Sequence, residues 1–125
     1  MFIISKGIPS KINILKDKPN KWAGHSTFGN VTRRESDGTL TNKGKKIINE
    51  FGARTNIWKY NNGKGFATKD KIAHEHPAIF PEKLVGDHIK SWCAEGDVVL
   101  DIFGGSGTTA KMASELNRNW IYIEK

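Results

Sequence analysis

Apolar residues recur at regular spacing only in the second half of the chain. The segment FPEKLVGDHIKSWCAEGD predicts a helix, with Pro81 suited to its first turn and Gly96 to its end. Its apolar face consists of Leu84, Val85, His88, Ile89 and Trp92. The run VVLDIF that follows Asp97 is continuously apolar and rich in β-branched residues, which is typical of a buried parallel strand.

A second helix and a second strand follow. The segment GTTAKMASELNRN predicts a helix whose apolar face consists of Ala110, Met112, Ala113 and Leu116, and WIYIE predicts a strand. The order is therefore helix, strand, glycine turn, helix, strand, which contains a βαβ unit. The pattern predicts an α/β fold, namely part of a doubly wound, Rossmann-like sheet, preceded by an irregular region.

The first half gives weaker signals. Residues 1–45 are rich in Pro, Gly, Asn and Asp at positions where turns favour them. GKKIINEFG, at Gly44–Gly52, predicts a short helix, and TNIWKYNNG predicts a strand. We therefore expect two parts: a loop-rich region at residues 1–71 and an α/β region at 72–125.

Charge separates these same two parts. Residues 1–71 hold 15 Lys and Arg against 5 Asp and Glu, a net +10, whereas residues 72–125 hold 5 against 8, a net −3. A basic region of this kind is typical of nucleic-acid binding, although a merely soluble lysine-rich surface has the same composition. The candidate DNA contacts are Lys18, Lys21, Arg33, Arg34, Lys43, Lys45 and Lys46.

Composition also limits the setting. The single cysteine, Cys93, allows no internal disulfide and favours a reducing compartment, so we expect a cytoplasmic protein. The N-terminus resembles neither a signal peptide nor a membrane span. The four histidines lie near no second cysteine, and we expect no metal site.

The glycine turn after the predicted strand can hold a ligand. Gly105 and Gly107 lack the Cβ atoms that would keep a ligand from the backbone, and Ser106, Thr108 and Thr109 bring hydroxyls and amides to a helix start. Glu124 ends the next strand, where a carboxylate can accept hydrogen bonds from ribose hydroxyls. This pattern indicates a nucleoside cofactor, and a dinucleotide such as NAD fits it as well.

The wider context of the turn narrows the choice. The stretch HPAIFPEKLVGDHIKSWCAEGDVVLDIFGGSGTTAKMASELNRNWIYIE resembles the cofactor-binding half of the permuted, class β DNA amino-methyltransferases. That family methylates adenine N6 or cytosine N4 from S-adenosylmethionine, commonly in restriction–modification systems. The basic front lies where the family keeps its target-recognition region, which implies double-stranded DNA as the partner.

The resemblance implies a role for each site residue. Phe103, Gly105 and Gly107 match the motif that surrounds the methionine and ribose of the cofactor, and Asp101 would accept its ammonium group. Ser106 and Thr108 would hold its carboxylate and Glu124 its ribose hydroxyls. The segment with His76, Phe80 and Pro81 matches the family's other cofactor segment. The family usually has proline where this chain has Ile102.

Structural roles remain open for several of these residues. Phe103 could instead be a core residue, and Asp101 could cap the following helix. Glu124 could be frayed into solvent. Trp22, Trp58 and Trp92 are expected to pack rather than to stack on bases.

The catalytic motif of the family, [DNS]PP[YFW], is absent, because the four prolines at 9, 19, 77 and 81 are never adjacent. We therefore assign no catalytic residue and expect no methylation by this chain alone. It would act with a complementary polypeptide that carries the motif, or be a gene remnant. The alternatives are a non-catalytic DNA-binding module with a vestigial α/β domain and a fragment of an NAD-dependent enzyme.

Overall fold

The computed structural model describes residues 4–9, 11–63, 65–75 and 79–125. The elements run in the order β1 (Lys18–Pro19), β2 (Thr32–Arg34), β3 (Leu40–Asn42), β4 (Phe51–Gly52), a 3₁₀ turn (Ile72–Glu75), α1 (Glu82–Trp92), β5 (Val98–Asp101), α2 (Thr108–Glu115) and β6 (Asn119–Tyr122). The chain forms two compact units. We call Lys16–Asn56 the basic unit, and residues 1–15 with 57–125 the α/β unit. Within the described residues, no helix is long and apolar enough to cross a membrane.

The predicted order of elements in the second half is confirmed. Strands β5 and β6 pair in parallel, with Val98 opposite Asn119 and Asp101 opposite Tyr122, and α2 connects them. Parallel neighbours need such a crossover, because a tight turn cannot return the chain to the same end of the sheet. Helix α1 ends at Trp92, earlier than Gly96, and Cys93 has already returned to extended dihedrals. The result is a mixed α/β unit.

The core lies where the two helices meet the sheet. Val85, Ile89 and Ala113 are buried there, and they pack against Cys93, Val99, Met112 and Leu116. Gly86 lets α1 and α2 approach closely, since a Cβ atom at this position would lie 3.1 Å from Met112 Cε. The predicted apolar faces of both helices therefore face each other.

The opposite face of the β5–β6 sheet is open, which corrects the expectation of a strand buried on both sides. Alternate residues of a strand point to opposite faces, and Val99 packs into the core. Its neighbours on the other face remain between 52% and 59% exposed. We call these residues the outer sheet face: Val98, Leu100, Ile102, Ile121 and Ile123. Among the described residues, no second helical layer covers them.

The basic unit consists of short antiparallel pairings joined by loops. Strands β2 and β3 form a hairpin, and β1 pairs with β4. The prediction of a helix at Gly44–Gly52 is wrong, because the backbone there pairs across the unit instead. Thr27 N–H donates to Lys46 O at 2.8 Å and Ile48 N–H donates to His25 O at 2.9 Å, which leaves no helical hydrogen bonds to form.

Residues 57–71 belong to the α/β unit, whereas the basic unit spans Lys16–Asn56. The strand predicted for TNIWKYNNG does not form. Side chains hold this segment in another way: the centroid of the Trp58 ring lies 5.1 Å from that of the His88 ring, and Tyr60 Oη donates to Asp87 at 2.9 Å. These contacts tie the segment to α1.

Candidate cofactor-binding site

A hollow of about 400 Å³ opens where β5 ends and α2 begins. This position follows from the topology, because parallel strands direct their carboxyl ends and the following turns to one edge of a sheet. The residues that line the hollow are Phe80, Asp101, Phe103, Gly104, Gly105, Ser106, Thr108 and Thr109. The volume lies within the range of small-ligand sites.

The backbone of the turn is held against the end of β6. Tyr122 lies over Gly104, where a Cβ atom would come within 2.0 Å of its ring, so only glycine fits. The Tyr122 hydroxyl donates to Gly105 O at 2.8 Å, and Gly104 N–H donates to Ile123 O at 3.0 Å. These contacts fix the path of the turn that lines the hollow.

Two carboxylates flank the turn. Asp101 Oδ1 accepts the N–H of Phe103 at 3.0 Å, and Glu124 Oε2 accepts the N–H of Gly105 at 2.7 Å. Within the described residues, Asp101 Oδ2 has no hydrogen-bond partner. Asp101 does not cap α2, because the N-cap residue is Gly107. Glu124 is exposed, yet its hydrogen bond ties it to the turn. The site thus presents acceptors to a cation or to hydroxyl groups.

The start of α2 supplies donors. Gly107 has a φ of 76°, a left-handed conformation that side chains disfavour, and the helix begins at the next residue. Ser106 Oγ and Thr108 Oγ1 lie 3.0 Å apart. Hydroxyls and unpaired amides at a helix start favour a negatively charged group such as a carboxylate.

Two phenylalanines stand at the rim of the hollow. Phe103 is 84% exposed and Phe80 is 55% exposed. The alternative that Phe103 is a core residue is therefore wrong. Both rings are available to cover the apolar surface of a ligand.

Pro81 and Gly107 are predicted site residues that do not line the hollow. Pro81 is the N-cap residue of α1. Gly107 is the N-cap residue of α2, and a Cβ atom added there would lie 4.0 Å from Tyr122 Cε2. His76 falls outside the described residues. The sequence prediction missed Gly104 and Tyr122. The run of small residues around Gly105 was a sequence signal for Gly104. No sequence pattern indicated that Gly104 would contact Tyr122.

An ion pair joins the two helices. Lys111 Nζ on α2 lies 2.6 Å from Glu82 Oε1 on α1, and Thr68 donates a further hydrogen bond to the same carboxylate. Partial burial acts to raise the pKa of Glu82, but these hydrogen bonds and the Lys111 charge outweigh it and hold the pKa below its usual range. The hydrogen bond to Glu82 raises the pKa of Lys111. The pair fixes the start of α1 beside α2.

The candidate DNA contacts all lie on the basic unit and are exposed. Lys18 is on β1, Arg33 and Arg34 are on β2, and the lysines at 43, 45 and 46 follow β3. Glu35 partly offsets this charge, since it lies 4.0 Å from Arg33 and 3.8 Å from Lys43. The basic unit holds 9 Lys and Arg against 4 Asp and Glu, so a positive surface remains.

Comparison with known proteins gives a family and several relatives. The model of the family N6_N4_Mtase, described as DNA methylase, matches residues 5–125. Over 99% of its length the chain is 52% identical to the orphan methyltransferase M.BamHII of Bacillus amyloliquefaciens. It is 47% identical over 49 residues to the type II methyltransferase M.PvuII of Proteus hauseri and 34% identical over 89 residues to M.HinfI of Haemophilus influenzae. No solved structure matches the chain.

These relatives are longer than the chain. The matched region makes up 47% of M.BamHII, 15% of M.PvuII and 25% of M.HinfI. The chain therefore spans about half the length of M.BamHII and a quarter or less of the other two.

Proposed function

The chain belongs to the DNA methylase family, and from this premise we propose that it is the cofactor-binding and target-binding part of a DNA methyltransferase. The reaction would transfer a methyl group from S-adenosylmethionine to an exocyclic base amine, with adenine N6 favoured over cytosine N4. The observation that carries this proposal is the hollow at the glycine turn, with its acceptors, donors and exposed aromatic rings.

The groups around the hollow match those of S-adenosylmethionine. The Asp101 carboxylate suits the ammonium group, and Ser106 with Thr108 suits the carboxylate at the start of α2. Glu124 suits the ribose hydroxyls, because one of its oxygens already bonds the turn and the other can accept from a ligand. Phe103 and Phe80 would cover apolar parts of the cofactor. His76 is also proposed to contact the cofactor. When bound, the cofactor supplies an electrophilic methyl group.

Activation of the target amine requires groups from outside these 125 residues. The lone pair of an exocyclic amine is delocalised into its ring, and no adjacent prolines occur here to build the family's catalytic motif. We propose that a complementary polypeptide segment supplies it. The outer sheet face supports this idea, since five apolar residues there are more than half exposed, and a second helical layer with an apolar stripe would bury them.

Double-stranded DNA is the proposed partner of the basic unit. The contacts would be mainly electrostatic and would fix position rather than read sequence. The proposed residues are Lys18, Lys21, Arg33, Arg34, Lys43, Lys45 and Lys46. A second candidate function follows from the same unit: because it is compact by itself, it could bind DNA without any role for the cofactor.

Titration calorimetry with S-adenosylmethionine tests the leading proposal. We expect weak binding by the wild-type chain, a loss of about tenfold or more for Asp101→Asn, and no loss for Phe66→Ala, an exposed aromatic that does not line the hollow. No methyl transfer to DNA is expected from the chain alone. Transfer is expected after addition of a polypeptide that carries an Asp-Pro-Pro-Tyr motif.

The rival functions give different results. Binding of NAD but not of S-adenosylmethionine would point to a dehydrogenase fragment. Salt-sensitive DNA binding by a chain that binds neither cofactor would favour the DNA-binding module. Methyl transfer by the purified chain alone would contradict the need for a complementary segment.

A further inference from the structure

A second hollow, of about 350 Å³, lies within the basic unit. Its lining residues are Trp22, His25, Ser26, Phe28 and Ile48. Short backbone pairings shape it: Gly24 N–H donates to Ile48 O at 2.9 Å, and Ser26 forms an isolated bridge with Ile47. Its walls therefore come from two segments held in fixed register. The cofactor proposal makes no use of this hollow.

The two large aromatic side chains of this hollow are mostly exposed to solvent. Trp22 is 61% exposed and Phe28 is fully exposed. The prediction that Trp22 is a packing residue is therefore wrong, since most of its surface is exposed and its ring meets the His25 ring in a T-shaped contact, with 6.1 Å between centroids. Exposing two large aromatic faces at one hollow costs hydrophobic free energy, and such a patch indicates a ligand with its own planar, apolar surface.

Charge narrows the class of that ligand. Lys21 Nζ lies 5.6 Å from the centroid of the Trp22 ring. Lys46 pairs with Thr27, which is next to two lining residues, Ser26 and Phe28. The carbonyl of Lys46 accepts from Thr27 N–H, and its own N–H donates to Thr27 Oγ1. The whole unit carries a net charge of +5. A second copy of this unit would carry the same charge and be repelled, whereas a polyanion would be attracted.

We propose that this hollow is a stacking site for an unpaired nucleobase of DNA. The base would stack on Trp22 and Phe28, and the flanking phosphates would lie near Lys21 and Lys46. Stacking on aromatic side chains accepts any base, since every base has a π face, and the lysines add affinity that depends on salt. The inference rests on the DNA-binding part of the proposed function and adds a preference for a base outside the helix.

Fluorescence anisotropy with labelled duplexes tests this inference on the full chain. One duplex carries a single unpaired thymine, a second carries an abasic unit at that place, and a third is fully paired. The wild-type chain is expected to bind the thymine duplex more tightly than the abasic duplex, by about 5- to 150-fold. Trp22→Leu and Phe28→Leu are each expected to reduce this preference while affinity for the paired duplex stays unchanged.

Two control variants separate stacking from general effects. Leu40→Ala removes an exposed apolar side chain from the same unit and is expected to keep the preference. Lys46→Gln is expected to weaken binding of all three duplexes alike and to reduce the salt dependence. Circular dichroism checks that each variant is folded, which is expected because the substituted side chains are exposed.

Three results of the anisotropy experiment would contradict the proposal. Equal binding of the thymine and abasic duplexes by the wild-type chain would overturn the stacking site and leave DNA binding intact. The same holds if Trp22→Leu and Phe28→Leu both retain the preference. Failure of the wild-type chain to bind any of the duplexes would overturn the stacking site and the proposed DNA partner together.

Discussion

The ring of Tyr122 on β6 lies against the backbone of Gly104, where a Cβ atom would come within 2.0 Å of Tyr122 Cε2. The Tyr122 hydroxyl also donates to the carbonyl of Gly105 at 2.8 Å. The Tyr122 side chain therefore determines how closely the turn approaches β6 and how the Gly105 carbonyl is oriented. The conformation of this site depends on a residue at the end of the neighbouring strand.

The first prediction concerns Gly104. Gly104→Ala places a methyl group where the Tyr122 ring lies, and we expect a loss of about 1–3 kcal/mol in the free energy of unfolding, measured by urea denaturation. Gly29→Ala is the matched control, since its Cβ would meet nothing within 4 Å, and it should change stability by less than about 0.5 kcal/mol. Gly104→Ala combined with Tyr122→Ala should recover part of the loss. Wild-type stability in Gly104→Ala would contradict the contact.

The second prediction concerns Phe103. Because its side chain is 84% exposed, Phe103→Ala should leave the free energy of unfolding within about 0.5 kcal/mol of wild type. If the ring covers a bound cofactor, the same change should weaken S-adenosylmethionine binding about tenfold. Calorimetry and thermal unfolding on one preparation separate the two effects. A large loss of stability would show instead that the ring packs within the fold.

The third prediction concerns pH and the Glu82–Lys111 pair. The pKa of Glu82 is lowered from 4.5, so its contribution to stability is complete above pH 4.5 and is lost as pH falls through the folded-state pKa. The pKa of Lys111 is raised from 10.5, so its contribution is present below pH 10.5 and is lost as pH rises through the folded-state pKa.

Urea unfolding of Glu82→Gln checks the acidic side of this dependence. At neutral pH the variant should be less stable than wild type by about 1 kcal/mol or less, and the difference should shrink in acid. Glu50→Gln, an exposed position in the basic unit, is the control for removal of a carboxylate. A difference that persists unchanged below the pKa of Glu82 would show that the ion pair is not its cause.

The fourth prediction concerns the outer sheet face. Leu100→Lys should cost less than about 1 kcal/mol in stability, because Leu100 is 59% exposed, and should reduce binding of a hydrophobic dye. Val99→Lys, on the opposite face of the same strand, should cost about 2 kcal/mol or more, since it places a charge against the core. The same substitution also tests the proposed partner. Methyl transfer to DNA after addition of the polypeptide that carries the Asp-Pro-Pro-Tyr motif should be lost in Leu100→Lys. Methyl transfer at the wild-type rate would show that this polypeptide does not cover the outer sheet face.

The second half of the chain was predictable because local patterns and contacts agree there. Helical spacing in α1 and α2 matches the faces that form the core, and the apolar run of β5 matches a parallel strand. The first half was not predictable in the same way. GKKIINEFG has a plausible helical pattern, but its backbone pairs with Gly24–Thr27 instead, and that pairing has no local signal.

The candidate site divides along the same line. Residues that lie next to one another in the chain, from Asp101 to Thr108, could be recognised by themselves, because a strand, a glycine turn and a helix start follow from local geometry. The contacts that complete the site come from Tyr122, at the end of β6, and from Glu124, which follows that strand; these residues lie 17 and 19 positions from Gly105. Likewise, the hollow of Trp22 and Phe28 exists only where two segments pair. Local propensity decides the elements, whereas close approach of distant residues decides which surfaces remain open to a ligand.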